Sequence, residues 1–301
     1  MNKKISLLLP TRGRPNLLKR LLRSIIDNTL DLKRIEVILC LDDDDTESHA
    51  IDDPRLNIVK LIGHKSTMGD YNTKCLNHAT GDIILLMNDD LVICTKEWDQ
   101  IILDFSLTIP DGIFMAYPND KEAGKLMSTF PIMSRKTCET LSNPYPKEYD
   151  DLFIDIHIFD IFIRLKHIGE NRMFYLDKLV FDHRHFVNRE VRQDASYAHK
   201  NRTKDAMTFI SLRHSRQVSA QRLYAAICNM KPPAFRNHLI PEEPPESLVR
   251  AFKKYFSVFL LDYGLPLTWR LNYFIRFIKY HAAMKSGLRF LARKSYTLYG
   301  G

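Results

Sequence analysis

Four stretches of the chain carry side chains able to do chemistry. Asp42, Asp43, Asp44 and Asp45 follow the apolar run IEVILCL, and Asn88, Asp89 and Asp90 follow DIILLM. Asp155 interrupts the apolar run LFIDIHIF, and His183 and His185 close MFYLDKLVFD with one residue between them. Carboxylates at the end of a buried strand repel one another and lose hydration. A hard divalent cation such as Mg2+ or Mn2+ offsets that cost by taking their oxygens as ligands, and it keeps positions open for the oxygens of a diphosphate. Asp and Asn are also ordinary turn residues, so either acidic group alone reads as a solvated turn too. Two of them on one rim favour the cation. His-x-His at a strand end puts both rings on one face, and an acid inside an apolar run, such as Asp155, has its pKa raised by lost hydration.

The rim exists only if the surrounding elements build it. Apolar strands alternate with helical patterns over the first 120 residues or so, the mark of a mainly parallel sheet with crossover helices. Strands are expected at 4–10, 35–42, 56–63 and 82–88, with helices from Pro15, over 70–79 and over 98–109, and an extended segment at 112–118. A second half adds a strand at 130–134, a helix at 151–168, a strand at 173–183 and helical sequence over 190–230. Ligands of open α/β sheets bind outside the carboxyl ends of the strands. Pro10, Thr11 and Arg12, the acids at 42–45, and Asn88 to Asp90 all fall there.

Composition narrows the class. Of 301 residues, 45% are hydrophobic and 27% charged, which excludes a disordered or fibrous chain. Pro10 and Arg12 stop the first apolar run short of a signal-peptide core, so it reads as a strand. The five cysteines form no C-x-x-C pair, which fits a reducing cytoplasm better than a disulfide framework or a zinc ribbon. The net charge of +8 is concentrated at the end of the chain: from Arg250 onward ten Lys/Arg stand against one acid, Asp262. Aromatic and basic residues interleave there at helical spacing. That pattern suits a pair of interfacial helices on an anionic membrane surface, or a helical cap with a solvated basic face. No nucleic-acid motif accompanies it, and none of its apolar runs reaches spanning length. The expected organisation is a catalytic domain over 1–230, a proline-rich linker over 231–248 and a basic amphipathic tail over 249–301.

The segments LLLPTRGRPNLLKRLLRSI, VILCLDDDD, MGDYNTKCLNHATGDIILLMNDDLVI and FDHRHF together resemble the GT-A glycosyltransferases, above all the family 2 type that uses nucleotide-diphosphate sugars. The resemblance runs from residue 4 to about 205. It implies a Rossmann-like, mainly parallel α/β sheet flanked by helices, here with a C-terminal helical extension. It also implies that Pro10, Thr11, Arg12 and Asp42 hold the nucleotide base, with Asp44 in the same acidic run. Asp70, Asn72 and Lys74 match more loosely a helix whose polar residues lie near the nucleotide.

The family's D-x-D motif corresponds to Asn88-Asp89-Asp90, where Asn88 departs from it by carrying no charge. Asp90, as the last acid, is the implied metal ligand for Mn2+ or Mg2+, with Asp89 beside it. His183, then His185, would complete the metal shell. The family sets its catalytic base at the start of a helix, usually in a Glu-Asp pair; here Asp155 is the first choice and Asp151 and Asp160 are its rivals. Arg184, Arg189 and Arg192 are candidates to neutralise the leaving pyrophosphate, and Asp194 resembles an acid that some related enzymes carry after the histidines. The implied reaction is inverting transfer of a sugar, with UDP the favoured nucleotide, to a glycan or lipid-linked acceptor in cell-surface glycan synthesis at the inner membrane face. A sugar-1-phosphate nucleotidyltransferase is the runner-up, although PTRGRP lacks the glycine-rich, lysine-bearing loop that activity needs. A non-catalytic membrane or nucleic-acid adaptor is the third reading.

Overall fold

The computed structural model describes residues 3–184, 202–235 and 239–285. Its centre is an eight-stranded sheet in the order β3-β2-β1-β4-β7-β6-β8-β5. The strands are β1 (Ile5–Thr11), β2 (Ile35–Asp42), β3 (Asn57–Gly63), β4 (Ile83–Leu86), β5 (Leu91–Ile93), β6 (Met115–Asn119), β7 (Ile132–Ser134) and β8 (Met173–His183). The first four are parallel neighbours, and β6 and β8 are also parallel. β7 runs antiparallel between β4 and β6, and β5 antiparallel against β8.

The strands β1, β2 and β4 are buried along their whole length because helices cover both faces. Alternate side chains divide between two cores, as the pleat requires. Leu7 and Leu9, Val37 and Leu39, and Ile83 and Leu85 face α1 (Pro15–Asn28) and α4 (Trp98–Leu107). Leu8, Ile38 and Ile84 face the other core, shared by α3 (Met68–His78), α5 (Arg135–Leu141) and α6 (Ile154–His167). Pro15 stands at the start of α1, where its missing N–H costs nothing.

Three departures from the sequence reading bear on the site. The strand expected over 82–88 ends at Leu86; the chain turns at 87–90 and resumes as β5. A short helix, α5, follows β7 directly where no element was expected, capped by Ser134, whose hydroxyl accepts the Thr137 N–H. Within the region expected to be helical over 190–230, α7 (Arg202–Ser211) and α8 (Arg213–Ile227) are separate helices meeting at Leu212. Beyond them, α9 (Leu248–Tyr255) runs into a π-helical turn at Phe256–Leu260, and α10 (Leu267–Lys285) follows. The short α2 (Thr46–His49) completes the α-helices among the described residues, and short 3-10 turns lie at Leu32–Arg34 and Gly124–Leu126.

Candidate active site

The order of the strands reverses beside β1: the chain moves outward to β2 and β3, then returns to β1's other side as β4. A crevice at the carboxyl ends of β1 and β4 follows from that topology. On one side of it the end of β1 meets the acidic run after β2. Arg12 pairs with Asp42 and, at 2.8 Å, with Asp44. Tyr71 of α3 also donates to the buried Asp42 carboxylate and itself accepts the Ser66 N–H at 2.7 Å. Gly13, at a φ of 62°, lets the chain turn so that its N–H reaches Asp45 at 2.7 Å. Asp70 and Lys74 pair with each other at 2.8 Å, and Asn72 is buried.

On the other side is the turn between β4 and β5. Asn88 is exposed, whereas Asp89 and Asp90 are buried. The two acids have different surroundings. Asp89 accepts the Thr11 hydroxyl at 2.6 Å and pairs with Arg14 at 3.0 Å, so its carboxylate ties the turn to the end of β1. Burial raises its pKa, with Arg14 and Thr11 opposing. Asp90 points instead toward β8. The antiparallel register sets Leu91 opposite His183, and the Arg184 N–H donates to the Asp90 carbonyl at 3.0 Å. His183 Nε2 consequently lies 3.4 Å from Asp90 Oδ1. Burial alone would lower the pKa of His183, but Asp90, Glu122 and Asp120 raise it overall.

Asp155 stands in the first turn of α6, where Phe153 adopts a left-handed φ of 72° before the helix begins. Burial raises its pKa to about 6, the Ile156 N–H at 2.8 Å opposes the rise, and the charges of His183 and Asp120 also act on it. Of its rivals, Asp160 is engaged, fully buried between Arg164 at 2.7 Å and Arg216 at 2.9 Å; Asp151 is tied to Asp205 at 3.1 Å by its backbone N–H and not by its carboxylate. His185 lies outside the described residues, as do Arg189, Arg192 and Asp194. Arg14, Tyr71, Asp120 and Glu122 belong to this neighbourhood but carried no signal in the sequence. Arg14, Tyr71 and Glu122 meet groups far away in the chain, while the Asp120 carboxylate binds its own turn, and only PNDKEAG, dense in turn residues, marked the place of the last two.

Among the described residues no three His, Cys, Asp or Glu side chains form a ready metal site. Asp90 and His183 form a pair of one hard oxygen donor and one imidazole. Such a pair fits a Mg2+ or Mn2+ ion whose remaining positions go to diphosphate oxygens and water.

A doubly covered, mainly parallel sheet with an acidic turn at its switch point defines a GT-A type nucleotide-sugar transferase fold. The model of the family described as Glycosyl transferase family 2 matches residues 6–162, more than half the chain, and the protein belongs to that family. No curated protein matches it. Among solved structures, TarS of S. aureus is similar at 14% identity and a TM-score of 0.52, over 97% of this chain and 54% of TarS. TarS 1-349 in complex with UDP-GlcNAc is similar at 12% identity and a TM-score of 0.52, over 98% of this chain and 90% of that one. A mannosyltransferase, PcManGT from Pyrobaculum calidifontis, in complex with GDP-Man and Mn2+, aligns with a TM-score of 0.47 at 14% identity, over 94% and 86% of the two chains.

Proposed function

We propose that this glycosyltransferase moves a sugar from a nucleotide diphosphate, UDP first, to a hydroxyl of a lipid-linked or polysaccharide acceptor, with inversion at the anomeric carbon. The observation that carries the reading is the meeting of Asp90 with His183 at one end of the sheet, near a carboxyl whose pKa is raised to about 6. Asp42, Arg12 and Tyr71 bind the nucleotide side of the donor, where Asp42 exchanges its present partners for the base; Pro10, Thr11, Asp44, Asp70, Asn72 and Lys74 line the approach. Asp90 and His183 hold the cation, with Asn88 and Asp89 completing the turn. Bound there, Mn2+ or Mg2+ supplies positive charge against the departing diphosphate.

Asp155 accepts the acceptor's proton. A general base works best with a pKa near the operating pH, and an ordinary aspartate is too weak a base by several units. Burial at the start of α6 brings Asp155 closer to that range.

The setting we propose is cell-surface glycan synthesis at the inner face of the cytoplasmic membrane. No helix among the described residues is long and apolar enough to cross a membrane. The hairpin of α9 and α10 nevertheless turns Leu248, Val249, Phe252, Leu267, Leu271 and Ile275 outward, all more than 40% exposed, beside the exposed Lys253 and Lys279. An apolar face bordered by lysines suits an anionic lipid surface.

The test is a panel of nucleotide sugars incubated with the protein, with and without Mn2+, while release of free nucleoside diphosphate is followed. One sugar nucleotide should be turned over in a Mn2+-stimulated manner by the wild type and not by Asp155→Asn. Turnover by that variant at the wild-type rate overturns the base assignment. Absence of any sugar-nucleotide turnover, together with salt-sensitive RNA or DNA binding, would favour the adaptor reading.

A further inference from the structure

His183 lies between two carboxylates. Its Nε2 faces Asp90 Oδ1 at 3.4 Å and its Nδ1 faces Glu122 Oε2 at 3.5 Å. The ring is nearly buried and meets Phe130 edge-on, with centroids 5.1 Å apart. Glu122 comes from a turn rather than from a strand, and Asp120 builds that turn. Asp120 Oδ1 accepts the N–H groups of Glu122 at 2.9 Å, Ala123 at 2.8 Å and Gly124 at 2.9 Å, while Oδ2 accepts the Thr129 hydroxyl at 2.6 Å. The Asp120 carbonyl accepts the N–H of His183 itself at 3.1 Å. One residue thus fixes both the backbone under the imidazole and the turn that brings Glu122 to it. Among the described residues, Arg184 donates to Asp182 at 3.0 Å, and Lys121 approaches the same carboxylate at 3.9 Å.

A neutral imidazole has one N–H and one lone pair, and an ionised carboxylate only accepts. With carboxylates on both sides, the ring can donate to one of them. A cation next to Asp90 needs the lone pair on Nε2, which requires the hydrogen on Nδ1, toward Glu122. We propose that Glu122 is a positioning residue that holds the Nδ1–H of His183 and so presents Nε2 to a divalent cation beside Asp90. The proposal rests on the reading of Asp90 and His183 as metal ligands. It adds a residue that neither the sequence motifs nor the family comparison singles out. Carboxylate partners of ligating histidines fix the tautomer and ring orientation, and their loss weakens metal affinity by about 10–100-fold.

The experiment is titration of MnCl2 into the full chain, with and without UDP, followed by calorimetry, for the wild type, His183→Ala, Glu122→Ala, Glu122→Leu and Glu122→Gln. The two variants without an acceptor should bind Mn2+ about 10–100-fold more weakly. Their melting temperatures should stay at the wild-type value, since the turn is held by Asp120. Glu122→Gln keeps an oxygen that accepts the Nδ1–H and should recover most of the affinity. Wild-type affinity in either acceptor-free variant overturns the proposal, and so does Glu122→Gln binding as weakly as Glu122→Ala. A wild type that binds Mn2+ no better than His183→Ala overturns the metal reading itself, and the proposal with it.

Discussion

Asp89 and Asp90 are adjacent and chemically identical, yet their partners assign them different work. Asp89 is held by Thr11 and Arg14, so removing it breaks a largely buried ion pair and the tie between the turn and the end of β1. Asp89→Ala should cost about 3 kcal/mol of stability in urea denaturation, whereas Asp90→Ala should leave the midpoint near wild type and abolish Mn2+-stimulated turnover. Asp155 makes a prediction with a definite sign. Its folded pKa, about 6, is above the ordinary 3.8, so the fold favours the protonated carboxyl. That contribution is complete below pH 3.8 and is lost as the pH rises through 6. Asp155→Asn should therefore melt higher than the wild type at pH 7.5, by an amount corresponding to about 3 kcal/mol, and show no difference at pH 3.5. Wild-type kcat/KM should rise with pH through about 6, because the base must be ionised; a flat profile between pH 5 and 7 would exclude Asp155 from that role.

At the scale of elements, α3 and the approach to α6 are fastened together, which places the nucleotide side of the site relative to the base. The first N–H groups of α3, from Met68 and Gly69, donate to the carbonyls of Asp150 and Tyr149, and the Thr67 hydroxyl donates to Lys147. A Cβ on Gly69 would lie 1.9 Å from the Pro146 carbonyl oxygen, so only glycine permits this approach. Gly69→Ala should destabilise by about 1–3 kcal/mol and raise the donor KM while lowering kcat, read from thermal melts and steady-state kinetics. The ends of the strands were legible in the sequence because apolar runs stopping at polar clusters are a local signal. The partners of those clusters were not: the β5–β8 pairing that sets Asp90 beside His183 joins segments about ninety residues apart. Glu36 shows the limit from the other side. It is a buried acid in an apolar strand, as suggestive by sequence as Asp155, but Thr80 and Gly81 donate to it along with Ser6, and it serves structure. The helix α5 escaped notice because seven residues give too little periodicity.

Across the whole molecule, the C-terminal hairpin has two faces with separate tasks. The inner face joins the core: Tyr255, Phe259, Tyr273 and Phe277 are buried with Phe153 and Phe209, and Arg164 of α6 reaches Asp262, between the two helices, at 2.7 Å. Breaking that buried pair by Asp262→Ala should cost about 3 kcal/mol or more, so it would disturb fold and surface together and cannot test the outer face. The outer face can be tested alone, because Phe252 and Ile275 are 53% and 46% exposed. Burying such side chains in an interface contributes in proportion to apolar area, about 25 cal/mol per Å2, and anionic lipid adds about 1 kcal/mol per basic residue near the surface. Full-length protein should float with vesicles containing phosphatidylglycerol, less with neutral vesicles, and less again as salt rises. The double variant Phe252→Glu and Ile275→Glu should stay in the soluble fraction while keeping the wild-type melting temperature and wild-type turnover of a water-soluble acceptor. Its activity toward an acceptor embedded in those vesicles should fall in step with its loss of flotation; equal flotation of variant and wild type would mean that this face does not meet the bilayer.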